Sequence, residues 1–204
     1  MKHFERELVQ GFLHEPAHPN GNGLVITHGA GSNSDTVLLR AVAEAFSQEG
    51  YLVLRCDLPF RQMRPKGPPF PAQAGRDREG LRRAVEAMRE MVTARVFLGG
   101  HSYGGRQASM LAAEEPGLAD ALLLLSYPLH PPNKPQQPRT GHFGSLQTPS
   151  LFVHGTRDAF GTIDEMKAAL ELIPARTDLA VVEGAGHSLK PNVTVMCVER
   201  LSVL

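Results

Sequence analysis

The sequence predicts a single α/β domain built on a mostly parallel sheet of about seven strands, with helices on both faces. Apolar runs of strand length alternate along the chain with stretches whose apolar residues recur at helical spacing, which is typical of βα repeats. Most of these runs are too continuously apolar to leave a face for solvent, as expected of strands covered on both sides. The 204 residues fit one domain over 1–204 and leave no room for a second.

Seven β-type apolar runs are the strand candidates. No internal repeat or low-complexity tract interrupts their order. Along the chain they are Leu8–Leu13, Gly23–Thr27, Leu52–Cys56, Arg95–Leu98, Ala121–Ser126, Ser150–His154 and Leu179–Glu183.

The first helix is predicted from an apolar stripe that runs from Val37 to Phe46 at helical spacing. Ser34 or Asp35 is the expected N-cap, because short polar side chains accept hydrogen bonds from the first free N–H groups of a helix. Gly50 is expected to follow the helix in the left-handed conformation that glycine adopts at low cost.

Later helices are predicted on the same ground. A helix is also predicted to start near Tyr103, directly after a strand. Pro174 is expected to end the helix whose apolar stripe stops at Ile173. The last stretch, from Asn192 to Leu204, fits a helix less well because it contains several β-branched valines. The remaining apolar stripes run from Leu81 to Val92 and from Ile163 to Ile173.

Charge and cysteine content exclude several classes of partner. Lys plus Arg and Asp plus Glu number 21 each, so no net field favours nucleic acid or an anionic membrane. Cys56 and Cys197 form no disulfide framework, and reduced thiols are expected. The start, Met1 to Phe12, is too polar for a signal sequence, and the longest aliphatic run, Leu122 to Leu125, is too short to span a bilayer. We therefore expect a soluble, cytoplasmic protein.

Most prolines lie in two segments, Pro59 to Gly75 and Tyr127 to Pro149. Each follows the carboxyl end of a predicted strand, the side on which open α/β sheets bind ligands. The stretch from Pro128 to Pro149 contains no apolar helical stripe of the kind that forms a lipase-type lid. No large lid is expected, and short soluble acyl groups are the expected substrates.

A nucleophile motif follows the fourth predicted strand. Gly100-His101-Ser102-Tyr103-Gly104 has the G-x-S-x-G pattern, with a buried strand before it and a helix after it. A serine hydroxyl needs a base and an exposed position on a tight turn to act as a nucleophile. The pentapeptide alone is equally consistent with an ordinary turn, so the strand and helix context carries the prediction that Ser102 is the nucleophile.

Asp158 and His187 complete the Ser, Asp, His order along the chain. Each lies just beyond a predicted strand, so their side chains are expected to meet Ser102 at one edge of the sheet. In this interpretation His187 is the general base and Asp158 orients it. The alternatives are that Asp158 only caps a turn and that His187 is a simple loop residue. No other histidine has a suitable place in this order, and no metal-binding pattern occurs among the nine histidines.

Two backbone N–H groups are candidates for an oxyanion hole, a pair of donors for the charge on a tetrahedral intermediate. One belongs to Tyr103, directly after the nucleophile, and the other to Ala30 in the loop after the second predicted strand. That loop, His28 to Asn33, matches neither common phosphate-binding glycine pattern.

Substrate contacts are predicted less directly. Arg61 and Arg64, with Lys66, form a basic cluster that would suit a substrate carboxylate, although a solvated loop explains the cluster better. His130, in the proline-rich segment, is a third candidate. Arg106, one helical turn after Ser102, is expected to pair with a carboxylate and to be structural.

On these motifs the sequence resembles the α/β-hydrolase superfamily, on its dienelactone-hydrolase-like side. It is most similar to a short lidless family that includes uncharacterised bacterial hydrolases, a testis-expressed mammalian protein and a subunit of the nonspecific-lethal chromatin complex. The resemblance implies a hydrolase fold and the roles given above for Ser102, Asp158 and His187. The segments that carry it are 28–31, 99–106, 126–132, 154–158 and 186–188.

The sequence therefore favours a serine hydrolase that acts on ester, thioester or related acyl bonds of a small molecule and uses no cofactor. The alternative is a protein-interaction module that keeps the fold without turnover. An intact triad favours the enzyme, since a scaffold has no physical need for all three residues. Formation of an oligomer is compatible with either.

Overall fold

The alternating apolar runs and helical stripes are present as strands and helices. The computed structural model describes residues 1–204. None of its helices is long and apolar enough to cross a membrane. The strands are β1 Lys2–Arg6, β2 Val9–His14, β3 Gly23–Thr27, β4 Leu52–Asp57, β5 Val96–His101, β6 Ala121–Leu125, β7 Ser150–Gly155 and β8 Thr177–Val182, and the α-helices are α1 Val37–Gln48, α2 Pro59–Met63, α3 Ala74–Met91, α4 Tyr103–Glu114, α5 Ile163–Leu170 and α6 Thr194–Ser202.

All eight strands form one sheet in the order β1-β2-β4-β3-β5-β6-β7-β8. The six strands from β4 to β8 in this order pair in parallel, whereas β1 and β2 are antiparallel to their neighbours. The carboxyl ends of β3, β5, β7 and β8 therefore lie along one edge of the sheet, and the loops that follow them meet there.

Helices cover both faces of the sheet, as predicted. On one face, a core of 28 buried residues joins the strands to α3, α4 and α5. On the other, 20 buried residues join them to α1 and α6. Cys56 lies in the first core and Cys197 in the second, and both are free thiols. The continuous apolar strands between these layers explain why the sequence shows so little alternation of polar and apolar residues.

The strand that the sequence did not predict is β1, at the edge of the sheet. Four of its five residues are exposed, and only Phe4 is partly buried, so it carries almost no apolar pattern. The turn to β2 places Leu8 at a φ of 60°, so Leu8 does not belong to the strand predicted to start there. An antiparallel hairpin of this kind is stabilised by backbone pairing and requires few apolar side chains.

The predicted cap of α1 is wrong by one or two residues. Thr36 is the N-cap, with extended backbone angles, and its side chain accepts from the Leu39 N–H. Asp35 instead pairs with Arg40 and with the buried Arg55. Gly50 is confirmed in the left-handed region, with a φ of 90°.

The short helix α2 was also not predicted, because the first proline-rich segment has no apolar stripe. Pro59 occupies its first turn, where the missing N–H of proline costs nothing. The Phe60 N–H donates to the carboxylate of Asp77 on α3 at 3.0 Å. A contact between residues 17 positions apart thus completes an element that local sequence signals do not specify.

Two glycines allow α4 to lie against the ends of β3 and β5. A Cβ added to Gly104 would lie 2.5 Å from the carbonyl oxygen of His28, and one added to Gly100 would lie 2.8 Å from the backbone of Gly104. Real Cβ atoms essentially never approach a backbone atom so closely. The first turn of α4 is therefore held at backbone contact distance from the loop that follows β3.

We predict that Gly104→Ala destabilises the protein by about 1 to 3 kcal/mol, because the added methyl must push α4 away from His28. Gly75, the matched control, also occupies the second position of a helix but has open space around it. Gly75→Ala is expected to be neutral or to stabilise by up to about 1 kcal/mol. Urea unfolding of the two variants measures the difference, and equal stability would contradict the packing described here.

Candidate active site

Ser102 lies on a sharp turn between β5 and α4. Its φ of 52° and ψ of −115° fall outside the regions that L-residues ordinarily occupy. The Ser102 N–H donates to Leu125 O on the neighbouring strand at 2.8 Å, and Ser102 O accepts from the Arg106 N–H at 2.9 Å. The strained turn is thus held from both sides, and Ser102 lines a cleft at the carboxyl edge of the sheet.

Hydrogen bonds join Ser102, His187 and Asp158 in a chain. His187 Nε2 lies 2.8 Å from Ser102 Oγ. His187 Nδ1 lies 2.8 Å from Asp158 Oδ2 and 3.0 Å from Oδ1. Since an ionised carboxylate only accepts hydrogen bonds, Nδ1 carries the ring proton and Nε2 is left to accept from the serine hydroxyl. The structure therefore brings the three predicted residues into contact in the predicted order.

Asp158 is held in its charged form. Its side chain is fully buried, whereas 23% of the His187 side chain is exposed. Burial by itself would raise the pKa of Asp158, but hydrogen bonds from His187 and from the Phe160 N–H outweigh it, so the pKa lies below its ordinary value. Asp158 thus closes a local turn through Phe160 and also pairs with His187.

Two residues that hold His187 were not predicted as site residues. The ring of Phe160 stacks on the imidazole with centroids 4.1 Å apart and planes 29° apart. His101 Nε2 lies 2.9 Å from the carbonyl oxygen of His187. Burial lowers the pKa of His101, so a neutral His101 donates this hydrogen bond through Nε2–H. No local sequence signal marks Phe160 as a neighbour of His187.

The Ala30 N–H, in the loop after β3, has no hydrogen-bond acceptor in the protein. Gly29 O accepts from the Ser32 N–H at 3.2 Å and from His28 Nδ1 at 2.8 Å. In a trans peptide the N–H points away from the carbonyl oxygen, so the Ala30 N–H points away from these two groups. Tyr103 is the first residue of α4, so its N–H has no helical carbonyl to bind. Ala30, Ser102 and Tyr103 line the same cleft.

Arg61, a predicted substrate contact, is buried beneath this loop with 6% of its surface exposed. Its guanidinium donates to Ala30 O at 2.9 Å and to Ser32 O at 2.8 Å. Further bonds reach Arg64 O and Gly67 O at 3.1 and 3.0 Å. Because its guanidinium donates to four backbone carbonyl groups, Arg61 holds the loop in place and does not face the cleft.

The other two predicted substrate contacts also lie outside the cleft. Arg64 donates to Pro68 O at 2.6 Å, and its guanidinium lies 4.1 Å from the ring centre of Phe70. His130 is buried and contacts Pro131 O at 2.8 Å and Glu165 at 3.3 Å. Local backbone and side-chain partners account for both residues. The structure thus places none of the three candidates beside Ser102.

Arg106 lines the cleft, although the sequence analysis assigned it a structural role. It was expected to pair with a carboxylate, but it forms no ion pair. Its Nε is buried and has no hydrogen-bond partner. The side chain lines the cleft beside Ser102, as does Arg139. The cationic groups of the cleft are therefore these two arginines.

The cleft has a volume of about 530 Å³ and opens beside Ser102. Phe70, Met110 and Phe160 contribute apolar walls. No group of three or more His, Cys, Asp or Glu side chains in the structure is arranged to hold a metal ion.

The match to a known family agrees with this geometry. The model of a family described as an alpha/beta hydrolase domain matches residues 20–197, and the chain belongs to that family.

Solved structures with the same fold cover nearly the whole chain. TT1662 from Thermus thermophilus is 24% identical with a TM-score of 0.79, and the match covers 99% of this chain and 97% of that one. Dienelactone hydrolase from Anabaena variabilis is 22% identical with a TM-score of 0.72, over 95% and 88%. XC6422 from Xanthomonas campestris, a serine hydrolase without a lid, is 18% identical with a TM-score of 0.73, also over 95% and 88%. At these identities the likeness is one of fold.

His28, at the end of β3, is buried in its neutral form. The Leu58 N–H donates to its Nε2 at 3.1 Å, and its Nδ1 donates to Gly29 O at 2.8 Å. A second proton would have to enter at Nε2, opposite an N–H group. Burial lowers the pKa of His28 to about 4, and burial likewise lowers the pKa values of His14 and His142 to about 4.

We predict that the protein loses stability as the pH falls from about 6.5 towards 4. In that range the unfolded chain binds protons at these histidines, whose ordinary pKa is about 6.5, and the folded chain does not. The stabilisation is complete above pH 6.5. His28→Gln has no imidazole to protonate, so its Tm is expected to fall less between pH 7 and pH 5 than that of the wild type.

Thermal unfolding at the two pH values checks this prediction. His18→Gln, at an exposed position, is the control and is expected to show the wild-type decrease. An equally large decrease in His28→Gln would contradict the contribution of His28.

Proposed function

We propose that the protein is a serine hydrolase that cleaves an ester, thioester or related acyl bond of a small soluble molecule through an acyl-Ser102 intermediate. The observation that carries this proposal is the chain of hydrogen bonds from Asp158 through His187 Nδ1 and Nε2 to Ser102 Oγ. This arrangement activates a nucleophile. Membership of the hydrolase family supports the same conclusion.

In the first half of the reaction, Ser102 Oγ attacks the acyl carbon and His187 Nε2 takes the hydroxyl proton. The imidazolium that forms is stabilised by the ionised Asp158. The negative charge on the carbonyl oxygen is received by the N–H groups of Tyr103 and Ala30. When the carbon–oxygen or carbon–sulfur bond breaks, His187 gives its proton to the departing alcohol or thiol.

In the second half, a water molecule takes the position of the departed group. His187 Nε2 removes one of its protons while the oxygen attacks the acyl carbon. The same two N–H groups stabilise the second tetrahedral intermediate. Its collapse releases the acid and returns the proton to Ser102 Oγ. Only side chains, backbone N–H groups and water take part.

The segment from Tyr127 to Pro149 supports a small substrate, because it packs on the body of the domain. Phe143 is fully buried. The Tyr127 hydroxyl donates to Arg139 O at 2.7 Å, and His142 Nε2 lies 2.8 Å from the Ser109 hydroxyl on α4. A segment anchored at these points leaves the cleft open, and no apolar lid covers Ser102 as a long-chain lipid substrate would favour.

We expect a fluorophosphonate reagent to label the folded protein at Ser102. The reagent reacts with a serine whose proton is removed by a base and whose oxyanion is stabilised, so it requires no knowledge of the natural substrate. Mass spectrometry of the labelled peptide identifies the site. Ser102→Ala abolishes labelling, and His187→Ala slows it at least about a hundredfold, because the two side chains act as one unit.

Ser202→Ala, at an exposed serine of α6, is the control and keeps wild-type labelling. If the folded wild-type protein remains unlabelled, catalysis is excluded, and the fold serves as an interaction module.

We further predict that Asp158→Asn lowers kcat by about three to four orders of magnitude, because an amide no longer stabilises the imidazole tautomer that accepts from Ser102. The matched control is Asp164→Asn, since Asp164 lies six positions away and its side chain is 96% exposed. Kinetics on 4-nitrophenyl acetate with circular dichroism of each variant make the comparison. An Asp158→Asn variant with near-normal kcat would remove Asp158 from the triad.

A further inference from the structure

Two arginines from separate parts of the chain face the cleft that contains Ser102. Arg106 lies on α4, one turn after the nucleophile, and Arg139 lies in the segment between β6 and β7. No Asp or Glu lines this cleft. Eight of the other fourteen arginines pair with a carboxylate, whereas neither arginine of this cleft does.

The position of Arg106 is tied to that of the nucleophile. Its backbone N–H donates to Ser102 O at 2.9 Å, which places Arg106 one helical turn after Ser102. Its Nε is buried without a hydrogen-bond partner. No carboxylate compensates the charge of this partly buried guanidinium, and an anion in the cleft would compensate it.

Arg139 adds a second positive charge close to the first. One guanidinium nitrogen donates to Pro128 O at 3.3 Å, and the remaining donors have no protein acceptor. Burial, and then the charge of Arg106, lower the pKa of Arg139. Two like charges that repel one another in a partly desolvated cleft are stabilised by an anion placed between them.

The walls of the cleft specify what kind of anion fits. Phe70, Met110 and Phe160 line the cleft with apolar surface. Gln107 also lines the cleft, but its side-chain oxygen accepts from Arg78 at 3.0 Å. The site thus offers carbon-chain contacts together with two guanidinium groups, which bind carboxylates through paired charge-assisted hydrogen bonds.

We propose that the substrates are carboxylate-bearing acyl compounds, with the carboxylate bound by Arg106 and Arg139 while the acyl carbon lies at Ser102. This inference rests on the proposed hydrolase function and names its substrate class. Arg106 and Arg139 are binding residues in it and take no part in proton transfer.

Matched esters test the substrate class. Mono-4-nitrophenyl adipate and 4-nitrophenyl hexanoate have the same leaving group and acyl chains of six carbons, but only the adipate ends in a carboxylate. We expect the wild-type kcat/KM to be at least about tenfold higher for the adipate, the effect of hydrogen bonds to a charged group, and this ratio to fall as salt is added. A ratio of one or less overturns the proposal.

Variants of the two arginines then test whether these residues cause the preference for the adipate ester. Arg106→Gln and Arg139→Gln are each expected to lower the adipate-to-hexanoate ratio about tenfold. The control is Arg83→Gln, which removes one positive charge from an exposed ion-pair cluster on α3 and leaves the ratio at its wild-type value. If the ratio survives in both cleft variants, or falls equally in the control, the two arginines do not bind the carboxylate.

A binding measurement separates this inference from the proposed function. Monomethyl adipate titrated into Ser102→Ala reports binding without turnover, and adding Arg106→Gln to that variant is expected to raise Kd at least about tenfold. Absence of both hydrolysis and fluorophosphonate labelling, with this binding intact, would remove the catalytic proposal and keep the carboxylate site. Labelling and hexanoate hydrolysis without such binding would keep the catalytic proposal and remove the carboxylate site.

Discussion

The backbone contact between α4 and the ends of β3 and β5 is the constraint on which the rest of the site depends. Because Gly100 and Gly104 have no Cβ, the first turn of α4 lies directly against the carbonyl of His28. The chain passes through a φ of 52° and a ψ of −115° at Ser102 directly before this helix begins. Ser102, the N–H of Tyr103 and the loop that carries Ala30 are thereby brought together by a single close approach of main chain to main chain.

Three histidines around this contact have different roles because their surroundings differ. His28 is sealed between two backbone groups and stays neutral. His101 is partly exposed and donates to the carbonyl of His187, so that it holds His187 in place. His187 is also partly exposed, and it alone of the three binds a buried carboxylate. These surroundings support the proposal that His187 is the base, since it has both a charged partner and access to solvent.

The sequence predicts those features that depend on chain order and misses those that depend on distant partners. Ser102, Asp158 and His187 were found because each follows a buried strand, and parallel strands bring their carboxyl ends together. The helix α2 could not be found in this way, since its anchor is Asp77 on another helix. The same limit explains the arginines. Arg61 is occupied by carbonyls up to 31 positions away, whereas Arg106 has no carboxylate partner, and neither fact is visible in local composition.

The two cysteines have a practical consequence for work on this protein. Burial raises the pKa of each thiol to about 12, and the thiolate is the form that reacts with alkylating reagents. Cys56 and Cys197 also lie on opposite sides of the sheet, inside separate cores. The folded protein is therefore expected not to react with maleimides. One cysteine introduced at the surface then becomes a unique attachment point for a fluorophore or a spin label, without prior removal of the natural thiols.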